Sequence, residues 1–310
     1  MIHLRGILPI LGLPFRSERS LPLVRPDRMD WNSSLSLQTV QGEAYRLCYV
    51  VKGVGEPIVL IHGYGAGMWV WEKQMDALAK DHQVFAVDLL GHGFSDRPKI
   101  EYTPETYVRS LKCFMEGVGI EKAVLIGNSM GGGIAWGMAV SFPERVKKLI
   151  LIDAAPPDVL DQVQNDSFRM LVEVKDLPLF PYLLIASRNR GSLKGVLEEC
   201  VSDRSLITRE ITDRAFQLLR IRGTTWALAS TFRHATEALR FKESLSLIPH
   251  PTLVIWGEQD LIFPVTVGER LHRIIPRSIL RTIPQSGHIP MWETPEAVNP
   301  LLLSFLREEA

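Results

Sequence analysis

The sequence predicts an α/β protein: a mostly parallel sheet with helices on both faces and a helical segment inserted part-way along the chain. Three observations carry that prediction. Short aliphatic runs alternate with amphipathic stretches over most of the length. The alternation stops between Pro156-Pro157 and about Thr236, where only helix-like segments occur, and then resumes. One buried run, Ala123–Ile126, passes through the tight turn Gly127-Asn128-Ser129-Met130-Gly131 into a helical stretch, Gly132–Met138.

The totals narrow the class of function. With 310 residues, 46% apolar and 23% charged, the chain has ample material for a core and an ordinary globular composition. Lys+Arg and Asp+Glu are equal at 35 each, so no global field draws in nucleic acid or anionic lipid. No apolar run reaches the length of about 18 residues that a membrane span needs. Cys48, Cys113 and Cys200 lie far apart with no metal-type spacing, which fits a reducing, cytoplasmic setting without a disulfide.

In chain order, residues 1–32 are rich in Pro and Arg and read as an extended arm. Met1–Phe15 is apolar but broken by Arg5, Gly6, Pro9, Gly12 and Pro14 and lacks a small-residue cleavage site. It reads as packed on the body, with weak membrane-surface contact as the alternative. Leu35–Val40 and Ala44–Val51 flank a turn near Gln41-Gly42 and predict a hairpin. Ile58–Ile61 is apolar on both faces, as a parallel strand is, and ends in His62-Gly63-Tyr64-Gly65-Ala66-Gly67. A helix over Trp71–Ala79, the strand Val84–Val87 and the loop Asp88–Asp96 follow. A helix over Thr106–Gly117 then leads to the strand before Ser129, and Val146–Ile152 forms another strand, ending at Asp153.

Within the insert, the predicted helices are Val163–Lys175, Leu193–Val201, Arg209–Arg222 and Thr225–Leu239, each burying one face. The insert's near-equal acids and bases make its arginines solvated faces and ion-pair partners. The strand Thr252–Trp256, a helix around Val265–Ile274, the strand Ser278–Ile283 and a helix over Pro295–Arg307 complete the chain. The organisation expected is thus an arm at 1–32, a sheet domain at 33–155 and 237–310, and a helical cap at 156–236.

Serine is a poor nucleophile without a base at hydrogen-bonding distance. Ser129 sits between glycines that let strand and helix approach closely, which predicts a strained turn with an exposed hydroxyl. A plain helix cap is the blander alternative. Loops at the carboxyl ends of parallel strands gather on one edge of a sheet. Ser129, Asp260 and His288 all follow strands and share that edge. His288 is then the base and Asp260 the acid that orients it, in the chain order Ser, Asp, His. Asp153 also ends a strand and is the rival acid. His62 and His92, beside glycines, read as structural. For the oxyanion, the amide of Met130 at a helix start and that of Tyr64 between two glycines are the expected donors.

These residues resemble the α/β-hydrolase fold. The resemblance rests on Asp88-Leu89-Leu90-Gly91-His92-Gly93-Phe94-Ser95, the His62-Gly63 loop, Gly127–Gly131, Asp260 and Ser286-Gly287-His288, and covers about residue 35 to the C-terminus. It implies an eight-stranded sheet and serine-hydrolase chemistry without metal or organic cofactor. Soluble epoxide hydrolases and haloalkane dehalogenases are similar but carry aspartate where Ser129 stands. Gly127–Gly132 resembles esterases and the carbon–carbon hydrolases of meta-ring-fission products. The latter usually have tryptophan after the catalytic histidine and a Gly/Ser-Gly-Pro-Gly loop. This chain has Ile289 and Tyr64-Gly65-Ala66-Gly67, while Asn128 and Trp292 keep the likeness. The expectation is a carboxylesterase for small to medium hydrophobic acyl esters, with Trp69, Ile262, Ile289, Phe168 and Trp226 in the acyl pocket. A carbon–carbon hydrolase and a hydrolase-like ligand-binding protein are the alternatives.

Overall fold

Strand β1 (Gln38–Gln41) pairs antiparallel with β2 (Arg46–Lys52), forming the predicted hairpin. The computed structural model of the chain describes residues 38–41, 45–177 and 179–308. The expected arm and its membrane-surface contact lie outside the described residues, as do Leu35–Leu37, Gly42 and Ala44. The β2 strand also pairs antiparallel with β4 (His82–Val87), and β4 is parallel to β3 (Glu56–Ile61). Parallel pairing continues through β5 (Ala123–Asn128), β6 (Val146–Ile152), β7 (Thr252–Gly257) and β8 (Ser278–Ile283). The result is one eight-stranded sheet in the order β1-β2-β4-β3-β5-β6-β7-β8.

The aliphatic strand runs are explained by burial on both faces. Val59, Ile61, Phe85, Leu125, Leu149 and Leu151 join one core, and Ile58, Leu60, Val84, Val124, Ile126 and Ile150 the other. Alternate side chains point to opposite sides of a strand, so consecutive hydrophobic residues feed two cores. Helix α1 (Glu72–Leu78) covers the second core. Helices α2 (Pro104–Gly117) and α3 (Met130–Ser141) cover the first. The α2 helix starts two residues before the predicted Thr106, because Pro104 occupies the first turn and the Thr103 hydroxyl caps it by accepting from the Thr106 amide.

Between β6 and β7 the chain is helical: α4 (Val159–Gln162), α5 (Asp166–Val174), α6 (Phe180–Ala186), α7 (Arg190–Glu198), α8 (Arg209–Leu219) and α9 (Thr224–His234). Two further 3₁₀ segments, Ala235–Phe241 and Glu243–Leu247, precede the return to the sheet at the expected Thr252. The α6 helix has no counterpart in the sequence reading. Proline breaks a helix interior, but Pro181 stands in the first turn, where it removes an amide that has no intrahelical partner anyway. The insert has its own small core of Leu171, Ile185, Leu228, Ala229 and Phe232. After β7 come α10 (Val265–Ile274), α11 (Pro290–Glu293) and α12 (Pro295–Arg307). No helix among the described residues is long and apolar enough to cross a membrane.

Candidate active site

The turn after β5 is as tight as its glycines require. A side chain on Gly127 would strike the backbone of Gly131, and one on Gly131 would strike the carbonyl of Ile61. Ser129 is held between them at φ 53, ψ −122, a conformation that costs a non-glycine residue energy and persists only when its surroundings impose it. Its amide donates to the Ile152 carbonyl at 3.0 Å, and its own carbonyl accepts from Gly133 and Ala155 at 3.1 and 2.9 Å. The side chain opens onto a cavity of about 210 Å³ between the sheet edge and the inserted helices.

Two other strand-end loops complete the edge. After β7, Asp260 is fixed by its Oδ1, which accepts the amides of Ile262 at 2.7 Å and Phe263 at 3.1 Å. Its Oδ2 lies 2.7 Å from Nδ1 of His288, in the loop after β8. A proton on Nδ1 donating to that carboxylate leaves Nε2 of His288 as the acceptor. The His288 amide donates to the Cys200 carbonyl at 2.9 Å, and its carbonyl accepts from Asn128 Nδ2 at 2.9 Å. Asn128 therefore ties the histidine loop to the residue beside Ser129. Both Ser129 and His288 line the cavity.

The rival acid is close to the imidazole, whose Nδ1 is bonded to Asp260 instead. Asp153, at φ 43, accepts the Gly257 amide on Oδ1 at 2.9 Å, while its buried Oδ2 has no hydrogen-bond partner. Burial, reinforced by the nearby Asp260 charge, pushes its carboxyl well above the usual carboxylate range. Asp153, Asp260 and His288 offer atoms within 4.8 Å of one another, a spacing that could suit a metal ion. Asp260 and Nδ1 of His288 are already committed to each other and to loop amides.

Tyr64 and Met130 also line the cavity. Met130 is the first residue of α3, where a backbone N–H has no intrahelical partner. The Tyr64 ring packs edge-on against Phe168 and Phe232, and its hydroxyl donates to the Leu228 carbonyl of α9 at 3.0 Å. Of the expected pocket residues, Trp69, Ile262, Ile289 and Phe168 line the cavity. Trp226 does not. Its indole donates outward to the Ile100 carbonyl at 3.0 Å, under the Lys99 ammonium. The buried face of α9 runs through Leu228 and Phe232, a four-residue spacing that leaves Trp226 on the outside.

A family profile described as "alpha/beta hydrolase fold" matches residues 56–295. The chain belongs to the α/β-hydrolase fold family. It is 31% identical over 272 residues to the 2-hydroxymuconate semialdehyde hydrolase of Pseudomonas sp. (strain CF600), covering 83% of this chain and 88% of that protein. Among solved structures it resembles the meta-cleavage product hydrolase CumD from Pseudomonas fluorescens IP01, at 26% identity and TM-score 0.76, over 89% of this chain and 98% of that one. It also resembles a membrane phospholipase A described as a bacterial virulence factor, at 28% identity and TM-score 0.70, over 88% and 86%.

In this hydrolase several contacts escaped the sequence reading. The buried Glu293 carboxylate accepts the amides of Ser202 at 2.7 Å, Asp203 at 2.8 Å and Gly287 at 2.7 Å. It thereby clamps the middle of the insert onto the loop that carries His288. The signal was its place in a short stretch between Pro290 and Pro295, five residues after His288. Arg188 and Cys200 also line the cavity. Burial, with Asp260 nearby, pushes the Cys200 thiol up to about 12, so it is no thiolate nucleophile at neutral pH.

Proposed function

We propose that this hydrolase cleaves carboxylic esters of small to medium acyl chains through an acyl-enzyme on Ser129. The observation that carries the reading is the 2.7 Å Asp260–His288 hydrogen bond beside a strained serine at a largely apolar cavity. Nε2 of His288 takes the proton from Ser129 Oγ as the hydroxyl attacks the carbonyl carbon. The amides of Tyr64 and Met130 hold the resulting oxyanion, each worth about 10²–10³ in rate where one such donor is removed. Collapse expels the alcohol, which takes its proton from His288. Water then repeats the sequence and releases the acid. Ester and water alone balance the reaction. The apolar walls supplied by Phe168, Ile262 and Ile289 suit a hydrocarbon acyl group.

A second reading, hydrolysis of a carbon–carbon bond in a meta-cleavage product, is favoured by the two relatives named for that chemistry. Turnover of an acyl-length series of p-nitrophenyl esters, compared with a vinylogous 1,5-diketone, separates the two. Preference for the diketone would overturn the ester reading. Both readings require Ser129, so Ser129→Ala is expected to abolish fluorophosphonate labelling and cut turnover about 10⁶-fold. Labelling of that variant at the wild-type level would refute the mechanism.

A further inference from the structure

The proposed mechanism leaves one buried carboxyl beside the triad unused. Asp153, at the end of β6, is fully buried and sits at φ 43, a left-handed conformation that Gly or Asn adopts more readily. The strand edge fixes it there. Its amide donates to the Ile255 carbonyl at 3.0 Å, and the amide of Ala155 donates to the Ser129 carbonyl at 2.9 Å. Oδ1 of Asp153 accepts the Gly257 amide, whereas the buried Oδ2 has no partner. The backbone strain and the orphaned oxygen both cost stability, and asparagine would relieve the first while still accepting from Gly257. A carboxyl at such a position answers to something other than stability.

What Asp153 faces is a second carboxyl. Asp153, Asp260 and His288 each offer an atom within 4.8 Å of the other two. The titratable groups around the two acids are His288 in the loop after β8, Glu293 on α11 and Cys200 of the insert. The charges that bear on Asp153, those of Asp260 and Glu293, are both negative. Two carboxyl groups buried side by side do not both ionise, so one proton stays on the pair. The hydrogen bonds decide which member holds it. Asp260 accepts two amides on Oδ1 and the Nδ1 proton of His288 on Oδ2, whereas Asp153 accepts a single amide. The member that accepts more N–H groups is the better placed to carry the charge. A proton on Oδ2 of Asp153 turns the orphaned oxygen into a donor, and Asp260 is the hydrogen-bond partner that holds Asp153 in its neutral form. Oδ2 of Asp260 keeps a lone pair free to accept it.

We propose that Asp153 is a positioning residue, a neutral acid that donates its proton to the Asp260 carboxylate, so that Asp153, Asp260 and His288 form one hydrogen-bonded chain behind Ser129. The donated bond spreads the Asp260 charge and sets how tightly that charge holds the imidazolium. The neutral Asp153 stands on the geometry of the two carboxyls. Its effect on catalysis rests on the roles of Ser129, Asp260 and His288 proposed above.

The test compares two variants of the full chain that left-handed backbone accepts readily. Asp153→Asn keeps a donor toward Asp260 and an acceptor for Gly257, and Asp153→Gly keeps neither. The pH dependence of kcat/KM is read on p-nitrophenyl butyrate, or on the vinylogous 1,5-diketone if that is the better substrate, and its acidic limb reports protonation of the base. Asparagine carries the same charge as a neutral Asp153, so its acidic limb is expected to overlie that of the wild type. Asp153→Gly withdraws the donor, and its limb is expected to rise by about half a pH unit or more. A limb lowered by about one unit or more in Asp153→Asn means that the wild type carries a second charge there, and overturns the proposal. So does an unmoved limb in folded Asp153→Gly, which leaves Asp153 a purely structural part. An infrared difference spectrum of wild type minus Asp153→Asn at neutral pH, without substrate, decides the matter even if the glycine variant does not fold. It is expected to show the C=O band of a neutral carboxylic acid, and a carboxylate band in its place refutes the proposal. The neutral-acid band in an enzyme that hydrolyses no ester leaves the Asp153 assignment standing and sinks the ester reading instead.

Discussion

At the carboxyl edge of the sheet, each candidate catalytic residue is held by main-chain hydrogen bonds. In the helices above, the side chains facing the same cavity are held by packing. Ser129 is fixed through Ile152, Gly133 and Ala155, Asp260 through the amides of Ile262 and Phe263, and His288 through Cys200. Phe168 and Phe232, by contrast, stack on each other and pack edge-on against Tyr64. Main-chain bonds tolerate little displacement, as reacting groups require, whereas packed aromatics can exchange shape for shape. Under the proposed function, the edge would carry the reaction and the insert would shape what reaches it.

The largest expected effect probes the edge. Asp260→Asn should lower kcat for a soluble ester by about 10⁴, because the amide no longer enforces the Nδ1–H tautomer of His288. Asp153→Asn should cost no more than about tenfold, since asparagine suits a left-handed position and keeps an acceptor for Gly257. Steady-state kinetics of the two variants decide the matter, and the opposite ranking would exchange their roles. A smaller effect probes the insert. Phe168→Ala should reduce kcat/KM for the longest acyl ester accepted by about tenfold and leave the acetyl ester within about threefold. Trp226→Ala, on the outward face of α9, should change neither by more than about twofold. If both variants shift acyl preference alike, the insert is not divided into inward and outward faces as described.

The last prediction concerns stability rather than rate. His92 is buried in the edge, and that burial, with His62 close by, lowers its imidazole to about 3. Below its ordinary value of 6.5 the unfolded chain takes up a proton that the folded one refuses. Its contribution is therefore complete above about pH 6.5 and is lost as pH falls toward 3. The slope is no more than about 1.4 kcal/mol per pH unit. Urea denaturation across that window should show a shallower fall for His92→Gln. An unchanged slope would place the acid sensitivity elsewhere.

The same contrast explains what was legible beforehand. The strands ending in Ile61, Asn128, Ile152 and Gly257 announce themselves as aliphatic runs, because a parallel sheet buries both faces. The loops after them are marked by glycines at close approaches, as Gly127 and Gly131 show. Local chemistry determined these features, so local reading reached them. The insert depends on which face of each helix meets its neighbours. Trp226 and Phe232 are aromatic residues on different faces of α9, and which face meets the Tyr64 loop depends on how the helix packs. The α6 helix is hard to read from sequence because its proline looks like a breaker until a first turn is available to hold it. Glu293 resembled any surface acid until its partners, distant in sequence, were brought to it by the fold.

The Glu293 clamp has a consequence for how such an enzyme diversifies. Its strongest contacts grip main-chain N–H groups of Ser202, Asp203 and Gly287, which any residue except proline supplies. A fastening that ignores side-chain identity leaves the surrounding segment open to mutation. Descendants could rebuild the helices for new cargo while inheriting the joint unaltered, and a laboratory graft of foreign helices would need to spare the Ser202 and Asp203 amides and the Cys200 carbonyl that accepts from His288.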